Sequence, residues 1–473
     1  MFIGRTQELA FLEDRYNANG GQLLVLYGRR RVGKTELLHH FCTDKPHVFY
    51  SCREISDEKQ LSAFSGRLFN SGISAPKYDD ALSDWEKALS AVLELPAGGA
   101  KKLLIIDEFP YMCKGNPSIP SILQILWDEK LKNQNVMIIL CGSAMSFIEK
   151  NILSKKNPLY GRATGIYKMK ELPFDDAIKF FPNFSDIDKM FAYAILGGIP
   201  HYLRQFEPDL TLKENIIKHV LTKGCALYSE VEFLIRQELR EPALYNTIVE
   251  AVALGNTKLN DIYTKTGMDK AKISVYLRNL MELEILERDF PATFSTKERA
   301  TSTRGLYRIT DNFFRFWFHF VFPHMSDLEI GDSAGVFEHV VLPQLNSFTS
   351  PIFETVCRSY LLKLNRKNTL SFRISKMGRW WGKLDGMQAE VDIVAIDAAS
   401  KNYILGECKF RNAQMTMSDL ETLKTKTGLV KKGAKIQYAL FSKSGFSESL
   451  VSEARQNECL TLFSLSDILS PQF

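Results

Sequence analysis

Eight cysteines are scattered through 473 residues, and no two of them stand in a CxxC pair. That absence argues against a structural zinc site and fits free thiols in a reducing compartment. No apolar run reaches the roughly 18 residues that a membrane helix takes. The stretch FFRFWFHFVF at 313–322 is too short and is broken by Arg315 and His319. The N-terminus, MFIGRTQELAFLEDRY, is charged throughout and has no uninterrupted apolar core, so no signal peptide is expected. Repeats and low-complexity tracts are missing. Charge of one sign is also scarce: 60 Lys and Arg stand against 55 Asp and Glu, a net of +5, so any basic surface must be local. The expectation is a cytoplasmic globular protein with no membrane partner. Its length is too great for one core, and the expectation is about three domains.

Residues 1–168 alternate apolar strands with amphipathic helices. QLLVLYG (22–28), KKLLIIDEF (101–109) and NVMIILCGS (135–143) are continuous apolar runs of the kind a parallel sheet buries on both faces. Residues 169–240 are helix-rich and are punctuated by LGGIP (196–200). Residues 241–312 read as three helices and a hairpin, 313–344 as linker helices, and 345–473 as an α+β domain. That last domain has a helix around Glu354, strands EVDIVAI, YILGECKF and KIQYALFS, and two further helices.

Gly28-Arg29-Arg30-Arg31-Val32-Gly33-Lys34-Thr35 fits GxxxxGK[ST] in full, after a strand and at the start of a helix. Its glycines let backbone N–H groups wrap phosphate oxygens, and the helix N-terminus adds its positive dipole end. Lys34 is expected on the β- and γ-phosphates, and Thr35 on Mg²⁺. Asp107 ends an apolar run and is followed by Glu108, a Walker B arrangement. Asp107 would hold the Mg²⁺ shell and Glu108 would polarise the attacking water. Ser143 is a sensor candidate, with an N-cap for 144–150 as the alternative. Arg162 is an arginine-finger candidate, with a surface arginine in a turn as the alternative.

FIGRTQEL, YGRRRVGKTELL, LLIIDEFPYM, ILCGSAMSF, PLYGRATG and GGIPHYL together resemble the archaeal-type ATPase family of the AAA+/STAND P-loop NTPases. The resemblance covers roughly the first half of the chain. It implies ATP as the nucleotide, an adenine site near Ile3–Arg5, and a helical lid over 169–240 carrying the Gly197-Gly198-Ile199-Pro200 turn. Among partners, a homo-oligomer through the ATPase domain is considered as well.

TKLNDIYTKTGMDKAKISVYLRNLMELEILER (257–288) has the cadence of a helix-turn-helix. Leu259, Ile262, Ile273, Leu277 and Leu280 would face a core, with Gly267 at the turn. Lys270, Lys272, Ser274 and Arg278 would be left outside to meet DNA. A β-wing from Leu286 to Ile309 would carry a basic tip, STKERATSTR, as a backbone contact. The alternative is a winged helix packed on its own domains.

At the C-terminal end, a hairpin turning near Ala399–Ser400 would place Asp392 opposite Glu407. Period-two alternation puts Lys409 on the same face. Like charges so placed repel, and a divalent cation held by Asp392 and Glu407 would offset that, with Lys409 positioning water or phosphate. A plain surface hairpin, with Glu390 paired to Lys409, is the alternative. The D-(x)n-ExK pattern resembles the PD-(D/E)XK, restriction-endonuclease-like superfamily, and Glu354 matches the helical acid often found there. The expected architecture is thus α/β: a P-loop NTPase sheet with a lid, a winged helix, then a restriction-endonuclease-like domain acting on DNA, or RNA, with Mg²⁺.

Overall fold

The computed structural model describes residues 2–74 and 81–470. The chain divides into two compact units, Met1–Leu172 with Ile199–His201, and Pro173–Gly198 with Tyr202–Phe473.

The first unit is built on five parallel strands: β1 (Gln22–Tyr27), β2 (His47–Ser51), β3 (Lys102–Asp107), β4 (Val136–Gly142) and β5 (Gly165–Lys168). Their order is β2-β3-β4-β1-β5. Every residue of β1 and β4 is buried, as continuous apolar runs demand. Leu23, Val25, Leu104, Ile106, Ile138 and Leu140 share one core with Phe64, Leu89, Leu123 and Leu126 from the covering helices. Each such burial contributes about 1.5–3 kcal/mol. The strands, not the loops they carry, therefore fix where the loops sit. Because β4 lies between β1 and β3, its carboxyl end stands between the loop after β1 and the acidic pair after β3.

The second unit begins with the helices of 173–240. The sequence expectation for these helices is a lid of the ATPase, and the first of them contribute to the second unit's core. Phe174, Met190 and Ala194 pack with Phe353, Ile393 and Cys408. Only Ile199–His201 joins the first unit. There Pro200 lies 3.7 Å from where a Cβ on Gly33 would stand, so Pro200 borders the phosphate loop.

Three helices follow, Pro242–Ala253, Leu259–Thr266 and Lys270–Glu282. Gly267, at φ 66°, ends the second. Asp269 caps the third by accepting from the N–H groups of Ala271 and Lys272. The antiparallel ribbon β6 (Leu286–Asp289) and β7 (Leu306–Ile309) has the expected limits. Its tip differs from an open basic loop. Ser295 and Glu298 form a capping box that starts a short helix, Thr296–Thr301.

The last layer is a mixed sheet, β8 (Lys376–Leu384), β9 (Met387–Ile396), β10 (Asn402–Lys409), β11 (Lys435–Ser442) and β12 (Leu460–Ser464), ordered β12-β11-β10-β9-β8. β8, β9 and β10 are antiparallel neighbours, whereas β10, β11 and β12 run parallel. The helix Leu342–Arg366 covers one face, where Val356, Cys357 and Leu361 meet Ile393, Ala395 and Ile404. Leu420, Leu423 and Leu450 cover the other against Val394 and Leu405. That helix starts three residues before the expected boundary at 345, so the boundary falls inside it.

Candidate functional site

In the first unit the loop Gly28–Gly33 joins β1 to the helix Lys34–Cys42. Gly33 sits at φ 88° and Arg31 at φ 68°, left-handed conformations that turn the loop back over the helix start. Lys34 is buried, and its Nζ donates to the carbonyls of Gly28 (2.9 Å) and Arg29 (2.8 Å). Burial lowers its pKa, against the pull of Glu108 and Asp107. Thr35 Oγ1 donates to Asp107 Oδ2 at 2.7 Å. A hydroxyl and a carboxylate oxygen side by side are the hard donors that Mg²⁺ takes.

Glu108 adopts φ 51°, a conformation that costs a non-glycine residue about 1–2 kcal/mol. Its backbone N–H donates to Asp107 Oδ1 at 3.0 Å, and its Oε2 accepts from Ser143 Oγ at 3.0 Å and from Ser143 N at 3.3 Å. Two bonds from the end of β4 thus aim the carboxylate. Ser143 does not cap the short helix that follows, which has no side-chain cap. Arg162 forms a bidentate pair with Asp128, Nη2 to Oδ2 at 2.7 Å and Nε to Oδ1 at 3.1 Å, and also donates to Pro158 O. Arg5, in the segment expected to border adenine, is buried and donates to the carbonyls of Val32 (2.6 Å) and Lys170 (2.7 Å). It braces the phosphate loop, a role no motif announced.

In the second unit, β9 and β10 pair in the expected register, but the ladder ends at Gly406–Ile393, one step before Glu407 and Asp392 would face each other. The Asp392 carboxylate takes over there, its Oδ2 accepting the Cys408 N–H at 2.9 Å. Burial first, then Glu354 and Glu407, push the Asp392 pKa up to about 7. Burial also raises Glu354, with Arg379 and Arg358 pulling the other way.

The repulsion expected to need a cation is met by basic side chains. Glu407 Oε1 accepts from Lys409, and its Oε2 from Lys426 at 3.1 Å. Glu354 Oε2 lies 3.3 Å from Arg379 Nε and 3.7 Å from Arg358 Nη1. Burial pulls the Lys409 pKa down, but Glu407 and Asp392 outweigh it and the net direction is up. Glu390 stands 3.7 Å from Arg379, so the plain hairpin with Glu390 on Lys409 is not formed. Among the described residues, no three His, Cys, Asp or Glu side chains gather closely enough to hold a metal ion. Lys426 carries no signal in the sequence. It follows the helix Met417–Lys424 and reaches a strand 19 residues back in sequence, so only the tertiary fold brings it there.

On the third helix of the middle module, Ile273, Leu277 and Leu280 are buried, whereas Lys270, Lys272, Ser274 and Arg278 are exposed. Lys270 lies over the Tyr263 ring (5.1 Å), and Ser274 Oγ donates to Lys270 O. At the ribbon, Ala292 N donates to Arg379 O on β8 at 2.7 Å, so part of this module packs on the last domain. Among the described residues no helix is long and apolar enough to cross a membrane.

Two family models match the chain. Residues 2–206 match an ATPase domain predominantly from Archaea, and residues 317–423 match archaeal and bacterial proteins of unknown function. An uncharacterized protein of Methanocaldococcus jannaschii is 32% identical over 468 residues, 99% of this chain and 100% of that one. An uncharacterized ATP-binding protein of the same organism is 53% identical over 45 residues, 10% of this chain and 76% of the relative. Among solved structures, a Walker-type ATPase of Pyrococcus abyssi superposes with a TM-score of 0.51 at 21% identity, over 67% of this chain and 96% of that one. This last likeness is one of fold. The chain belongs to the family of the full-length Methanocaldococcus relative, archaeal-type ATPases whose ATPase domain is followed by a C-terminal region shared with archaeal and bacterial proteins of unknown function.

Proposed function

We propose that this ATPase binds and hydrolyses ATP in order to act on DNA, through an exposed helix of a winged-helix module and a nuclease-like C-terminal domain. The observation that carries the hydrolytic part is the pair of bonds from Ser143 to Glu108. A carboxylate held by a neighbouring strand end is a preorganised base for one water. Lys34 would neutralise phosphate charge, and Thr35 with Asp107 would hold Mg²⁺, which supplies Lewis-acid polarisation of the phosphate oxygens. Arg162 can serve as a finger only after leaving Asp128, so its first role is to fix the turn 158–162.

For the C-terminal domain, the support is the convergence of Glu354, Asp392, Glu407 and Lys409 from a helix and two strands. A carboxyl group with a pKa near 7 beside a lysine is suited to proton transfer at neutral pH. As arranged, Glu407 is satisfied by Lys409 and Lys426, so the carboxylates fit a divalent ion only if Lys426 gives way. That observation also favours a second reading, an inactive module that binds nucleic acid or a protein partner. Incubating the full chain with plasmid, linear DNA and RNA, with Mg²⁺ or Mn²⁺ and with or without ATP, separates the two. Cleavage that is lost in Asp392→Asn supports the first reading, and binding without cleavage supports the second.

A further inference from the structure

Four arginines from four elements of the second unit act on Glu354, and one of them is left over. Arg358 stands one turn along the same helix, 3.7 Å from Glu354, and donates to Asp392 O at 3.1 Å. Arg379, on β8, stands 3.3 Å from Glu354. Arg308, on β7 of the ribbon, donates to Glu287 at 2.8 Å and lies 4.0 Å from Asp289. Arg315, on the helix Asn312–Phe316, is different. Its guanidinium lies 4.1 Å from the centre of the Phe348 ring, and its Nη1 is buried with no hydrogen-bond partner among the described residues. A buried guanidinium has five donors to satisfy and cannot shed its charge as a lysine does. An aromatic face offsets part of that cost but accepts no N–H bond.

The charge around Arg315 is unbalanced in the same direction. Burial, then Arg308, lower its pKa to about 10, and Glu354 is the carboxylate that acts against them. Glu354 in turn is shared with Arg379, Arg358 and Arg308. The acids on the outer side, Glu287 and Glu390, have side chains 45% and 69% exposed, so water screens them. The ribbon is docked on β8 through the Ala292–Arg379 backbone bond. Arg308 and Arg379 both act on Glu354 although about 70 residues apart in sequence. Arg315 as a residue is partly exposed, although its Nη1 is not.

We infer that Arg315, with Arg308 and Arg379, forms a phosphate-binding site beside Glu354, shared between the ribbon and the C-terminal sheet. Its expected occupant is a phosphate of a nucleic-acid backbone, an identification that rests on the nucleic-acid reading given above. A tetrahedral anion accepts several N–H bonds at once and is the partner that a planar fork of donors fits. Such a site would hold the backbone one step from Asp392 and Glu407, so the arginines are positioning residues.

The test uses the full chain carrying Lys34→Ala, which removes phosphate binding at the P-loop, in a chelator so that nothing is cut. Affinity for a short DNA duplex is measured against salt for this protein and for added Arg315→Gln, Arg315→Lys and Arg308→Gln. Thermal stability is measured with and without inorganic phosphate. Loss of one phosphate contact should reduce the salt slope by about one in Arg315→Gln, with most of it restored by Arg315→Lys. Arg308→Gln, at a more open position, should act in the same direction and serves if Arg315→Gln does not fold. DNA binding with the same slope in both neutral variants overturns the phosphate site and leaves the DNA reading standing. Stabilisation by phosphate that depends on Arg315, in a protein that ignores DNA, keeps the site and overturns its nucleic-acid occupant. No response to either ligand overturns both.

Discussion

Replacing Asp392 by Asn should make the C-terminal sheet more stable at alkaline pH and leave it nearly unchanged at acid pH. In the folded protein the Asp392 carboxyl is pushed from its ordinary 3.8 up to about 7, by burial and then by Glu354 and Glu407. Below the unfolded value both states are protonated and the group contributes no difference. Between about 4 and 7 the folded state keeps a proton that the unfolded state has lost, so stability falls as pH rises, and above 7 the full penalty is carried. One pK unit is worth about 1.4 kcal/mol, so the whole window corresponds to about 4 kcal/mol, an upper bound because Glu354 shares the repulsion. Asn keeps an oxygen for the Cys408 N–H and removes the charge. The assay is hydrogen exchange of peptides covering 387–409 in chelator at pH 5 and pH 8, corrected for intrinsic rates. A chain of several domains does not unfold in one step, which is why a local probe is needed. Equal protection of variant and wild type at pH 8 would refute the reasoning.

Four further outcomes are expected. Glu108→Gln should bind ATP and hydrolyse it poorly, whereas Lys34→Ala should fail to bind, measured by nucleotide titration beside turnover. Ser143→Ala should lower turnover with little change in ATP affinity, because it removes the shorter of the two bonds that aim Glu108 without touching the phosphate loop; an unchanged turnover would remove the Ser143 hydroxyl from the account. Lys426→Ala should tighten Mn²⁺ binding to the C-terminal domain by freeing one oxygen of Glu407, read as a metal-linked rise in exchange protection of 387–409 that Asp392→Asn lacks, and metal at about 100 Kd should add roughly 2.7 kcal/mol. Replacing Lys270, Lys272 and Arg278 together should flatten the salt dependence of DNA binding, and an unchanged affinity would place that helix against protein.

The P-loop was legible because its geometry is local. A strand, a glycine loop and a helix follow one another from Gln22 to Cys42, and the apolar runs of β1, β3 and β4 are long enough by themselves to announce a buried parallel sheet. The register of β9 and β10 was legible for a similar reason, since the turn at Ser400, with φ 55°, leaves one way to count the pairs. β8 was not legible. Its sequence, KMGRWWGKL, mixes glycine and charge with aromatics and is only partly buried along its length, so no period stands out. The packing of Asp186–Leu196 into the second unit was hidden because an apolar helix face does not name what covers it. Lys426, Asp128 on Arg162, and the arginines around Glu354 were hidden for the same physical reason. A salt bridge between distant segments leaves no spacing in the sequence, and each of these residues alone reads as a solvated surface charge.

The most direct test of the proposed action on nucleic acid is the fate of DNA under turnover. Full-length protein is incubated with supercoiled plasmid, Mg²⁺ or Mn²⁺, and ATP, beside Glu108→Gln and Asp392→Asn. The account predicts nicking or cutting that needs the divalent ion, is lost in Asp392→Asn, and is altered in Glu108→Gln. Intact plasmid in every lane, with ATP hydrolysis normal in the wild type, would contradict the nuclease-like assignment and leave the C-terminal domain as a binding module.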